Sequence, residues 1–203
     1  MKRSGFLFYF LIIIPLINLL AQVKTDTLNI QKDKSIIIWE GKKLLGTHTG
    51  NVQFDSGTLK VRNNSIIGGE FSVDMRTITN TDIDDKEYNE KLVNHLKSED
   101  FFNVSRYPKS FFKITKIEKY NDPENKNINF KIYGDMKIKG IMNPVEFPAI
   151  IRFEENGIFG RAKFKIDRTK WKIKYKSASI FSDLGDKFIY DDIGLELNLF
   201  FSK

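Results

Sequence analysis

The sequence predicts an all-β protein: a sandwich or barrel of about eight antiparallel strands with one helix beside it. Three observations lead there. Nearly everything after residue 34 alternates polar and apolar with a period of two, the mark of strands with one wet and one dry face. Turn-forming clusters punctuate these runs at short intervals. One segment alone, ending near residue 97, switches to a helical period.

The chain opens "MKRSGFLFYFLIIIPLINLLAQ". Lys2 and Arg3 precede an apolar run from Phe6 to Leu20, and Ala21 offers a small residue for cleavage, which is the layout of a secretory signal peptide over 1–21. The run spans 15 residues and is interrupted by Pro15 and Asn18, short for a bilayer span. Residues 22–34 form a mature N-terminal segment with no element assigned, and 35–203 form one domain. An exported protein, periplasmic or secreted, is expected.

Within the domain, strands fall near 35–40, 45–54, 57–62 and 65–74, separated by the turn signals Asp55-Ser56-Gly57 and Asn63-Asn64. "TDIDDKEYNEKLVNHLK" follows. Thr81 with Asp84 three residues on reads as a capping box, and Tyr88, Leu92, His95 and Leu96 share one face, so a helix covers about 82–97. Strands resume near 109–118 and 127–139, with Asn121-Asp122-Pro123 between them. In "FKIYGDMKIKG" Phe130, Ile132, Met136 and Ile138 form the dry face. After a turn over Gly140 to Pro144, strands at 144–154 and 158–167 follow. A last strand near 191–201 makes a ninth, with Ile193, Leu195, Leu197, Leu199 and Phe201 on one side.

Composition narrows the function. The chain has 33 basic and 26 acidic residues, and without Lys2 and Arg3 the net charge of +7 becomes +5. The basic residues are scattered singly, a solvated surface and not a nucleic-acid patch. There is no cysteine, hence no disulfide, thiol nucleophile or lipid-bearing cysteine. Two histidines, His48 and His95, leave little for a metal site. No catalytic group stands out: His48 lies in an alternating strand in register with Val52 and Phe54, and His95 packs beside Leu92 and Leu96. The acid pairs Asp84-Asp85, Glu99-Asp100, Glu154-Glu155 and Asp191-Asp192 sit at turns or element ends. No cofactor is called for, and the chain reads as a non-enzyme.

Binding fits better. The 18 phenylalanines are many for this length, although three belong to the leader. An eight-stranded barrel with its dry faces inward has an aliphatic and aromatic lumen just wide enough for side chains or one small ligand. A side-chain-filled barrel without a guest fits the same pattern. So does a transmembrane barrel with the dry face turned outward.

"HLKSEDFFNVSRYPKSFFKITKI", "YGDMKIKGIMNPVEFPAIIRF", "FKIDRTKWKIKY" and "DDIGLELNLFF", in that order, resemble the YceI-like family of exported polyisoprenoid-binding proteins. The resemblance implies an eight-stranded antiparallel lipocalin-like barrel flanked by the helix, so that 35–203 is a YceI-like barrel domain. It also implies an isoprenoid-like or other amphiphilic lipid in the lumen, held as carrier or buffer, with no catalytic residues. Two departures stand out: Asp167-Arg168 followed by Trp171-Lys172, and the longer insertion "YKSASIFSDLGDKFIYDD" before the last strand.

The ligand-binding candidates on the strands are Val52, Phe54, Phe71, Phe112, Ile114, Met136, Phe147, Phe164 and Leu197. Phe101 and Phe102 are expected to close one end of the cavity, with Phe111 packed under the helix. Trp171, Phe181 and Phe188 are expected to shape the other end. Arg168 is expected in a surface salt bridge or at a polar head group. A lipid-acting enzyme using His48 is the alternative. The expected partner is an amphiphilic lipid, without nucleic acid or a stable membrane span after leader cleavage; a homodimer is allowed.

Overall fold

The computed structural model describes residues 24–203, so the leader lies outside the described residues. Nine strands and one helix follow the alternation. They are β1 (Thr25–Ile30), β2 (Ile36–Lys43), β3 (Gly46–Arg62), β4 (Ser65–Asp74), α1 (Lys86–Lys97), β5 (Lys109–Lys119), β6 (Phe130–Ile138), β7 (Ile141–Glu154), β8 (Gly157–Asp167) and β9 (Ile189–Ser202).

All neighbouring strands pair antiparallel, and β3 and β9 both pair with β1 and with β2. β1 and β2 therefore share one slot end to end, and the sheet closes as an eight-stranded barrel. A 3-10 turn at Lys32–Lys34 breaks that slot. Ser35 bridges the break, its buried hydroxyl accepting the Phe200 N–H at 3.0 Å. β1 lies in the segment to which the sequence reading assigned no element. Its inward residues, Leu28 and Ile30, are buried in the core.

Asp55-Ser56-Gly57 is not a turn. β3 runs through it as one 17-residue strand, and the register against β4 shifts between Phe54 and Ser56, a β-bulge. The extra residue lets Asp55 project outward to Lys109 Nζ at 2.6 Å. At Gly57 an added Cβ would crowd Ile30 and Phe71, each at 3.1 Å, which explains the glycine. Asn63 and Asn64 do form a hairpin turn, with φ of 49° and 57°. The turn expected over Gly140 to Pro144 shrinks to Lys139 and Gly140, and Pro144 already belongs to β7.

The helix is present, but its first turn begins at Lys86. Asp85 caps it by accepting the Tyr88 N–H at 3.0 Å, and Thr81 is not the cap. The stretch ahead of the helix lies along β3 as a substitute strand. Thr79 N–H donates to Asn51 O at 2.9 Å, Thr81 N–H to Thr49 O at 2.9 Å, and Gln53 N–H to Thr77 Oγ1 at 2.9 Å. These bonds satisfy backbone groups that β4 no longer covers.

The outer wall is charged. Cross-strand pairs Lys113–Glu70 (2.9 Å), Lys131–Glu146 (2.7 Å) and Arg161–Glu196 (2.8 Å) stand on it. A lipid-facing exterior would have to desolvate these charges, so the transmembrane-barrel alternative is set aside. Among the described residues no helix is long and apolar enough to cross a membrane.

Candidate ligand cavity

Alternation along every strand sends one apolar set inward, and the set does not fill the barrel. A cavity of about 200 Å³ remains. It runs from Leu96 and Phe102, beneath the helix, to Ile158 and Phe201 near the far end. Among the described residues its wall is apolar apart from Ser110 and Arg161.

Aromatic rings form a belt across the lumen. Phe54 meets Phe71 at 6.4 Å between centroids, Phe71 meets Phe112 at 6.1 Å and Phe201 at 5.9 Å, and Phe112 meets Phe147 at 5.6 Å. Phe147 and Phe164 are stacked at 4.1 Å with planes 6° apart. Gly134 makes room for this belt: a Cβ there would sit 2.4 Å from the Phe112 ring.

Of the residues singled out from sequence, Val52, Phe54, Phe71, Phe102, Phe112, Ile114, Met136, Phe147, Phe164 and Leu197 line the cavity. Four do not. Phe101 is buried, but between His95 (5.0 Å) and Tyr175 (5.5 Å) and off the cavity wall. Trp171 is 1% exposed and donates its indole N–H to Met136 O at 3.1 Å. Phe181 is exposed, and Phe188 leans on Tyr190 at 5.0 Å.

The insertion does not shape an opposite end. Strand directions bring the β8–β9 connection, the β2–β3 hairpin and α1 to the same end of the barrel, where Tyr175 meets His95 edge-on at 4.5 Å. Phe111 is not packed under the helix: it stands on the outer face of β5, 45% exposed.

Arg168 is neither on the surface nor at a head group. It is 1% exposed and donates to the carbonyls of Ile173 (3.0 Å), Ile189 (3.1 Å) and Tyr190 (3.2 Å), with Asp191 Oδ1 at 3.1 Å. Burial pushes its guanidinium pKa down, and the Asp191 and Asp167 carboxylates oppose that shift. It ties the insertion down from inside.

Wall residues beyond the sequence candidates include Trp39, Leu59, Ile78, Leu96 and Ile132. Trp39, Leu59 and Ile132 sit on dry strand faces and were legible from alternation. Ile78 and Leu96 are brought in by the docking of the α1 segment, for which alternation gives no signal.

Neither histidine lines the lumen. His48 does meet a carboxylate, Asp82 Oδ2 at 2.8 Å, but on the outside of the barrel facing α1. The arrangement that a lipid-acting enzyme would need, His48 beside a carboxylate within the cavity, is not formed. Among the described residues no group of three or more His, Asp or Glu is placed to hold a metal ion.

A closed antiparallel barrel with a hollow apolar lumen and a helix across one end defines a class of ligand-enclosing folds. Within that class the chain belongs to the YceI-like family, whose domain profile matches residues 28–201. Protein YceI of Escherichia coli O157:H7 is 33% identical over 93 residues, and UPF0312 protein plu2095 of Photorhabdus laumondii is 32% identical over 95. Each match covers under half of either chain: 45% of this chain and 44% of the relative for the first, 46% and 45% for the second.

Among solved structures, Burkholderia cenocepacia BcnA superposes with a TM-score of 0.63 at 18% identity, over 84% of this chain and 98% of that one. A Saccharophagus degradans domain, described as polyisoprenoid binding and implicated in plant cell wall breakdown, gives 0.59 at 9%, over 86% and 97%. The Campylobacter jejuni YCEI protein gives 0.52 at 19%, over 100% and 93%. At these identities the likeness is one of fold.

Proposed function

We propose that the protein is exported by its leader and holds the apolar tail of an isoprenoid-like amphiphile in its lumen, as carrier or buffer, in the periplasm or outside the cell. The observation that carries this reading is the apolar hollow beside the phenylalanine belt. The described binding of polyisoprenoid by a structural neighbour agrees with it. The basic, apolar leader of residues 1–21 supports export.

The hollow sets a scale. An apolar cavity of about 150 Å³ holds one benzene. At about 200 Å³ the lumen takes roughly one five-carbon unit without repacking. Longer tails require Phe112, Phe147 or Phe164 to turn aside. Each five-carbon unit buried is worth about 4 kcal/mol at ~0.8 kcal/mol per carbon, part of which offsets the ordering of a flexible chain.

Mass spectrometry of organic extracts from protein isolated from its native host tests the proposal. An apolar or amphiphilic compound at near-stoichiometric amount is expected. Protein that carries nothing extractable, and whose Trp39 fluorescence is unmoved by added prenyl lipids, overturns it.

A further inference from the structure

A second concave site lies outside the barrel, between the β2–β3 hairpin and α1, and its chemistry is unlike that of the lumen. Lys43, His48, Tyr88, Lys91 and His95 line it over an apolar floor of Ile83 and Leu92, with a volume of about 500 Å³. Among the described residues no carboxylate is on its wall; the nearest are Asp82, 2.8 Å from His48 Nδ1, and Asp100, 4.0 Å from His95 Nδ1, each behind an imidazole. Among the described residues neither Lys43 nor Lys91 has a carboxylate within 4.0 Å, whereas Lys42 pairs with Glu40 and Lys86 with Glu90.

One histidine, His48, presents an unused ring nitrogen. Asp82 can only accept, so His48 donates through Nδ1 at 2.8 Å, and Asp82 is itself held by Thr49 N–H (2.7 Å) and the Asn80 amide (2.5 Å). His48 Nε2 is left for a ligand. Among the described residues His95 Nε2 has no hydrogen-bond partner, but it is buried beneath Phe101 and Tyr175 and closed to a ligand in the groove. Two ammonium groups, the His48 imidazole and a phenol around one groove suit a phosphate-like anion.

Next to Lys43 the hairpin tip exposes Leu44 (48%) and Leu45 (82%), and Tyr88 is 65% exposed. Leucines at a tip with cations and an aromatic ring just behind them match the layers of a bilayer surface: acyl chains, then phosphates.

We propose that this groove binds the phosphate of an anionic phospholipid in a bilayer, with Leu44 and Leu45 entering the apolar layer beside it. The proposal goes beyond lumen binding and does not depend on it.

The test is sedimentation of the full chain with vesicles of phosphatidylglycerol mixed into phosphatidylcholine, against phosphatidylcholine alone. Lys43→Glu/Lys91→Glu and Leu44→Ser/Leu45→Ser are compared with wild type, all carrying the same N terminus so that the leader contributes equally. Wild type is expected to bind the anionic vesicles preferentially. At ~1 kcal/mol per surface lysine, the lysine pair variant should lose at least about 20-fold. The leucine variant should lose affinity too, and the imidazole signals of His48 should shift with short-chain phosphatidylglycerol.

Equal sedimentation of wild type and variants overturns the proposal, as does equal binding to neutral vesicles. Saturation by inorganic phosphate without vesicle binding overturns it as well, leaving a site for free anions. Lys43 and Lys91 are exposed, so the variants should melt with wild type, and Lys43→Gln/Lys91→Gln serves if the glutamates disturb the fold. Extractable lumen lipid should be unchanged in every variant, which separates this result from a failure of the lumen reading.

Discussion

Phe147 is 5% exposed, lies flat on Phe164 at 4.1 Å, and touches the Phe112 ring at 5.6 Å, so it ties two parts of the lumen belt together. Phe147→Ala removes that tie. Phenylalanine truncations in packed cores cost about 3–5 kcal/mol. Part of this ring faces existing empty space and has fewer contacts to lose, so about 3 kcal/mol is expected. Two checks agree. Removing a ring opens on the order of 100 Å³, and at ~24 cal/mol per Å³ that is about 2.4 kcal/mol. The lost stack adds about 0.5–1.5 kcal/mol.

For a domain of this size, about 3 kcal/mol lowers the melting temperature by about 10 °C. Urea unfolding followed by Trp39, on the cavity wall, and Trp171, in the 3-10 turn that follows β8, measures the loss. The cavity should grow from about 200 Å³ to roughly 300 Å³, so the variant should shift its preference towards bulkier apolar ligands. Saturating ligand should recover part of the lost stability through mass action. A cost below about 1 kcal/mol with no change in ligand preference would show that the belt is loosely packed and does not bound the hollow.

Three further outcomes follow from the geometry. Arg168→Met should cost about 3–5 kcal/mol and speed proteolysis within residues 177–188, because it strands Asp191 and three carbonyls; wild-type melting would refute the tie. Phe102→Ala should weaken apolar-ligand binding roughly tenfold, while Phe181→Ala, exposed in the insertion, should leave it unchanged; the opposite ranking would remove Phe102 from the cavity end. Lys109 beside Asp55, Arg76 beside Asp74, Lys113 beside Glu70 and Arg161 beside Glu196 hold these carboxyls below their ordinary values of 3.8 and 4.5. A depressed folded pKa stabilises above the ordinary value and is lost below it, so melting temperature should hold near neutrality and fall as pH drops through 4.5 and 3.8. These pairs are solvent-facing, so added salt should shrink the effect; a melting temperature flat down to pH ~3 would contradict it.

Period-two alternation carried most of the fold, because a strand with one buried face must alternate, and the same logic placed Val52, Phe112, Phe147 and Leu197 on the cavity wall. It failed where geometry is not periodic. β1 reads "TDTLNI", and two apolar residues among polar ones give too little contrast to mark a strand. Asp55-Ser56-Gly57 has the composition of a turn but serves as a bulge, since local sequence does not say whether the chain reverses or only bends. The position of the insertion depends on how strand directions collect the long connections at one end. Burial of Arg168 is not legible because arginine is seldom buried, and two of its three carbonyl partners, Ile189 and Tyr190, are brought back only by the fold.

The pairing of β2 with β9 joins Ile36 to Asn198, so barrel closure waits on contacts almost as distant in sequence as the domain allows. Such wiring makes closure a late and slow step of folding. Before it, the curled sheet is open along its length with its oily side bare. If the lumen holds a hydrophobic guest as proposed, one present at that moment would be enclosed as the final strand zips home, without any doorway having to open.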